Sequence, residues 1–127
     1  MIYPIDITWE AKSRGVTLDE YPFEHIRGCV CRAGDTHHIG ISSQLDPIKK
    51  RMCVAHELAH IDDDSIDSVH VFIAERRAYQ MAREKLVPCE AIKEALADGL
   101  TDYSTLASLF GVSEKMIQLR CRDLSIF

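Results

Sequence analysis

From Ile48 onward the apolar residues Met52, Ala55 and Ala59 recur at spacings of 4, 3 and 4, with Val54, Leu58 and Ile61 widening the stripe. That period predicts an α-helix apolar around much of its circumference, hence a central one. Its start is marked twice: Asp46 can accept hydrogen bonds from free N–H groups, and Pro47 suits the first helical position, which needs no N–H. Asp62-Asp63-Asp64-Ser65 breaks the pattern. A second helix is predicted over Phe72–Leu86, although Ser68–Ile73 alternates polar and apolar and also reads as a short strand. Cys89–Asp98 follows as a third helix, closed by Gly99, and Ser104–Phe110 and Ser113–Arg122 fit two more.

Before residue 46 the pattern changes. Asp6–Gly15 reads as a short helix ended by its glycine. Val16–Ile26 carries Pro22 and no clear period, which suits a loop or edge strand. Gly28–Cys31 and His38–Ser42 are short extended runs on either side of Ala33-Gly34-Asp35-Thr36, the arrangement of a hairpin. Strands early and helices late predict an α+β fold, with a small antiparallel sheet or hairpin packed on the central helix and a mostly helical C-terminal half. The expected organisation is a single compact unit, residues 1–100 as the main domain and 101–127 as helices packed on it.

Composition narrows the function. The chain has 127 residues, 46% of them hydrophobic, enough for a real core. With 15 Lys and Arg against 20 Asp and Glu, its net charge of −5 argues against a coat for nucleic acid or anionic membrane. No apolar run approaches the roughly 20 residues of a membrane span, and the first residues lack the basic start and apolar stretch of a secretory signal. Five cysteines, odd in number and irregularly spaced, fit reduced thiols better than a disulfide framework. Cys29 and Cys31 flank one residue and so face the same side of a strand. The expected location is the cytoplasm.

The chemistry concentrates in His56-Glu57-Leu58-Ala59-His60. Residues four apart share a helix face, so His56 and His60 can present two imidazoles to one ion. Glu57 lies about 100° around the helix, placed to reach a water beside that ion without binding the ion itself. A metal hydrolase uses these parts: the cation acidifies water and polarises a carbonyl, and the carboxylate takes the proton. A shuffled chain of this composition shows such a match about 2% of the time, and burial of two His and a Glu on a core helix without a role is costly. The alternative is two surface histidines on a helix flank. A catalytic zinc site needs a third protein ligand. Glu75 leads the candidates, heading a stripe with Ala78 and Ala82 on the second helix; otherwise it is a solvated carboxylate paired with an Arg. His70, Asp64 and Asp62 are the remaining candidates.

The segment Arg51-Met52-Cys53-Val54-Ala55-His56-Glu57-Leu58-Ala59-His60 resembles the active-site helix of the ImmA/IrrE family of metallopeptidases. The run Glu75 to Pro88 is similar too, with Glu75, Ala78, Ala82, Leu86 and Pro88 on the family's recurring positions, and Leu106–Ser113 resembles its usual ending. The resemblance spans about residues 28–122, with Ala59 standing where a Gly is often found. It implies a zinc-dependent endopeptidase, of a kind encoded by phages and mobile elements, that cleaves a helix-turn-helix transcriptional repressor. Carried over by position, His56, His60 and Glu75 would hold Zn2+ and Glu57 would act as base. On this reading His38–Ser42 is the expected sheet edge for substrate, making His38, Ile39, Gly40 and Ile41, with Tyr79, the candidate substrate-binding residues. Tyr79, His70 and Arg76 are candidate donors to the oxyanion.

The tail supports a competing reading. Ala107, Gly111 and Ile117 have the spacing of a DNA-binding helix-turn-helix. A regulatory protein that binds DNA or a repressor through its C-terminal helices, with a structural or inactive metal site, is the alternative. Charge argues against the DNA version: from Thr101 to Phe127, Lys115, Arg120 and Arg122 are balanced by Asp102, Glu114 and Asp123.

Overall fold

The computed structural model describes residues 3–63 and 71–126. The chain divides into two compact units: Asp6–Ala82, and the described residues of Met1–Ile5 with Arg83–Phe127. Among the described residues six helices accompany one three-stranded sheet, the α+β class that the patterning predicts. No helix among them is long and apolar enough to cross a membrane.

The first unit opens with α1 (Ile7–Ser13), whose free N–H at Trp9 donates to the Asp6 carboxylate at 2.9 Å. Past its end Gly15 takes φ +74°, a conformation that a residue with a Cβ rarely adopts. Then come β1 (Thr17–Tyr21), β2 (Gly28–Ala33), β3 (Thr36–Ser42), α2 (Pro47–Asp62) and α3 (Val71–Leu86, in this unit as far as Ala82). The hairpin forms as expected, turning at Gly34 with φ +62°. The helix start is as expected too, the Asp46 carboxylate accepting from the Lys49 N–H at 2.8 Å. The strand alternative for Ser68–Ile73 gives way to helix from Val71; Ser68, Val69 and His70 lie outside the described residues.

The sheet differs from expectation in two respects. It is mixed, not antiparallel: the order is β1-β3-β2, with β1 parallel and β2 antiparallel to β3. The reason lies in the connection between β1 and β2. Ser43 N–H donates to Tyr21 O and Ser42 N–H to Arg27 O, so residues 21–27 pass across the end of β3 instead of turning back tightly. That path leaves β3 in the middle. His38–Ser42 is therefore no sheet edge, since both its sides already carry ladders. Ile39 and Ile41 are core residues, 0% and 4% exposed; α2 packs on β2 and β3.

Among the described residues the free edge nearest α2 belongs to β2. The bond from Ser42 N–H to Arg27 O fixes the alternation of the antiparallel ladder. It directs the backbone groups of Gly28, Val30 and Arg32 away from β3.

In the second unit the end of α3 is followed by α4 (Cys89–Ala97), α5 (Tyr103–Phe110) and α6 (Glu114–Asp123). Leu86, Val87, Ile92, Leu106, Phe110, Ile117 and Cys121 form its core. Gly111 ends α5 at φ +65°, and the Ser113 hydroxyl caps α6 by accepting from the Met116 N–H at 3.1 Å. Arg120 is buried, its Nε–H donating to Val87 O at 2.8 Å, and Arg83 grips Asp123 at 2.8 Å.

Candidate metal centre

The burial of α2 sets the site. Cys53, Val54, Ala55, Leu58 and Ala59 fill the space around it, so His56 and His60, one turn apart, emerge on a single side and are largely shielded. On α3, Ala74, Ala78 and Ala82 are all buried, a small-residue face that permits close packing, and Glu75 sits beside it. The carboxylate of Glu75 spans the two imidazoles: Oε2 lies 3.0 Å from His56 Nε2 and Oε1 lies 2.7 Å from His60 Nε2. The two Nε2 atoms are 3.2 Å apart. Among the described residues this is the one group of three or more His, Cys, Asp or Glu side chains with donor atoms gathered within 4.8 Å.

The donor set fits a metal ion. Two ligands held tetrahedrally at about 2.0–2.1 Å from an ion stand roughly 3.3 Å apart, close to the separations found. Burial pulls the His56 imidazolium down in pKa, against the Glu75 charge, which favours the neutral imidazole that a cation requires. Both Nε2 atoms face the cluster, while His56 Nδ1 is buried with no hydrogen-bond partner among the described residues.

Glu57 is 7% exposed. Burial pushes its carboxyl up in pKa, with the His60 imidazole opposing and the Glu75 charge adding to the rise. A carboxylate raised in this way is a better proton acceptor than one in water. β2 closes over this side of the helix: a Cβ built on Gly28 would lie 3.6 Å from Glu57 Cγ and 2.5 Å from Cys53 Sγ, so only glycine lets the strand come this near.

A family model for the IrrE N-terminal-like domain, a peptidase family, matches residues 11–122. The chain belongs to that family. The match reaches seventeen residues further toward the N-terminus than the resemblance carried by the motifs, taking in all of β1 and the end of α1. Membership in the IrrE N-terminal-like family makes the chain a metallopeptidase-type hydrolase. No curated protein matches it.

The other candidates separate. Asp62 does not join the cluster; it pairs with the Arg14 guanidinium. Asp64 and His70 lie outside the described residues. Tyr79, one turn beyond Glu75, lays its ring against His56, centroids 4.1 Å apart, and is half exposed. Arg76 is exposed. The proposed substrate residues on β3 do other work: Ile39 and Ile41 face α2 in the core, and Gly40 lies beneath the Tyr21 ring, where a Cβ would meet ring carbons at 3.0 Å. His38 is held on the opposite face, its Nδ1 2.6 Å from Thr17 Oγ1 and its Nε2 2.8 Å from Tyr21 OH. Sequence reasoning missed both this network and the Gly28 approach. Thr17 and Tyr21, an even number apart, were the available signal for the first; nothing local marked the second.

Proposed function

We propose that the chain is a cytoplasmic zinc endopeptidase whose substrate is a protein, a helix-turn-helix transcriptional repressor of a phage or mobile element. The observation that carries the reading is the convergence of His56, His60 and Glu75 beside the buried carboxylate of Glu57. His56, His60 and Glu75 would hold the ion. Zinc, when bound, supplies the Lewis acidity that polarises a carbonyl and acidifies water.

The chain's own residues do the rest. Glu57 takes the proton of the attacking water at its carboxylate and hands it to the departing amide nitrogen, so the base of one step is the acid of the next. Tyr79 is half exposed, and its hydroxyl would donate to the developing oxyanion. A substrate segment adds to β2 as a further strand, bonding the outward backbone groups of Gly28, Val30 and Arg32. Gly28 lies against Glu57, so a peptide on that edge runs past the base.

The regulatory alternative loses support in the tail. Arg120 spends its guanidinium inside the second unit, which leaves Lys115 and Arg122 as the exposed cations of α6, few for a helix that must face phosphates. DNA is accordingly not proposed as a partner. Incubating the purified chain with a helix-turn-helix repressor encoded beside it, with and without a chelator, and weighing fragments by mass spectrometry tests the proposal. Defined fragments that vanish with chelator and with Glu57→Gln are expected; cleavage that survives Glu57→Gln removes the mechanism.

A further inference from the structure

Cys29 and Cys31 lie on β2, two residues apart, and the strand register places them on the sheet face turned away from α2, in the rows of Gly40 and His38. Burial first, and then the neighbouring Cys31 thiol, push the Cys29 thiol up in pKa. Cys31 is exposed and Cys29 half-buried, both unbridged. The peptidase reading uses neither.

Geometry decides what such a pair can do. Residues i and i+2 of a strand, rising about 3.3–3.4 Å each, hold their Cβ atoms roughly 6.7 Å apart. A disulfide needs about 3.5–4.5 Å between them, so bridging the pair would buckle the strand. Two thiolates on one cation, each about 2.3 Å away, span up to about 4.6 Å between sulfurs, which side chains leaning toward each other from those Cβ positions can meet. An ion fits where a covalent bridge does not.

The donors also select the ion. His38, directly opposite Cys31, already has both ring nitrogens engaged by Thr17 and Tyr21, so among the described residues that row offers two sulfurs and no third ligand. Zinc asks for four ligands, whereas a soft monovalent cation accepts two thiolates. We propose that Cys29 and Cys31 form a second metal site, separate from the His56–His60–Glu75 cluster, that takes a soft thiophilic cation of the Cu(I) type. Binding releases two thiol protons and leaves a bis-thiolate complex with one net negative charge, at a position where Cys31 faces solvent.

The test is anaerobic titration of the full reduced chain with Cu(I) held by a coloured chelator. One equivalent should leave the chelator for the wild-type chain, with at least tenfold weaker uptake by Cys29→Ser and by Cys31→Ser. Unchanged uptake by Cys121→Ser and by Glu75→Gln is expected, and circular dichroism should show each Ser variant folded. Uptake unaffected by either Ser substitution overturns the site, as does no uptake at all. Mild peroxide treatment is the second measurement: a ready loss of 2 Da with an intact β2, mapped to Cys29–Cys31, would overturn the geometric premise.

Discussion

Gly28→Ala probes the contact between β2 and α2. Its Cβ would sit 2.5 Å from Cys53 Sγ and 3.0 Å from Gly40 O, where ordinary contact begins near 3.4 Å. The overlap with sulfur is about 1 Å, and Cys53 is buried with little room to yield. Two effects oppose each other. Gly28 is not among the residues at positive φ, so alanine is conformationally admissible and stiffens the unfolded chain, a gain of about 0.4–1 kcal/mol. Overpacking a filled core costs about 1–3 kcal/mol. Overpacking wins, for a net loss of about 1–2 kcal/mol. Urea denaturation reads this as a lower midpoint at unchanged slope. Repeating the substitution in a Cys53→Ala background removes the sulfur, and the loss should shrink by about 1 kcal/mol or more, a coupling typical of touching residues. Equal losses in both backgrounds, or no loss in either, would refute the packing argument.

Asp46→Ala removes the acceptor for the Lys49 N–H at the start of α2 and should lower stability by about 1 kcal/mol in the same denaturation assay. Ala78→Leu places a large side chain at a position that is 0% exposed on α3; a loss of about 1–3 kcal/mol is expected, with weaker metal retention as Glu75 shifts, measured by chelator competition. Burial drives the Cys53 thiol up to about 12. A raised thiol pKa means less thiolate at a given pH, so at pH 8 about one part in ten thousand is ionised; a thiol reagent should modify Cys31 first and Cys53 only upon unfolding, followed by peptide mapping. Tyr79→Phe should lower kcat with KM and metal content unchanged if the hydroxyl meets the oxyanion, and Tyr79→Leu, which also removes the ring from His56, should in addition weaken metal binding.

The helices were legible because each carries its own punctuation: Asp46 before Pro47, Gly111 between α5 and α6, and apolar stripes at helical spacing. So was the pairing of His56 with His60, a consequence of 3.6 residues per turn. Glu75 was legible through the alanines that follow it, since small residues on a buried face announce a close neighbour. Strand order was not. Periodicity says which residues extend but not which strands meet, and β3 lies in the middle only because residues 21–27 cross its end, a path set by long-range hydrogen bonds to Ser42 and Ser43. The assignment of an edge to His38–Ser42 failed for that reason, and the edge passed to β2. Gly28 gave no local sign either, because its partner Cys53 is distant in the chain.

The claim on which the account rests is that His56, His60 and Glu75 act together on one ion. Zinc affinity measured against a fluorescent chelator, for the wild-type chain and for Glu75→Gln, tests it most directly. The account predicts one zinc per chain, held at least about a hundredfold less tightly once the carboxylate is gone. Identical affinity in the two proteins would contradict it.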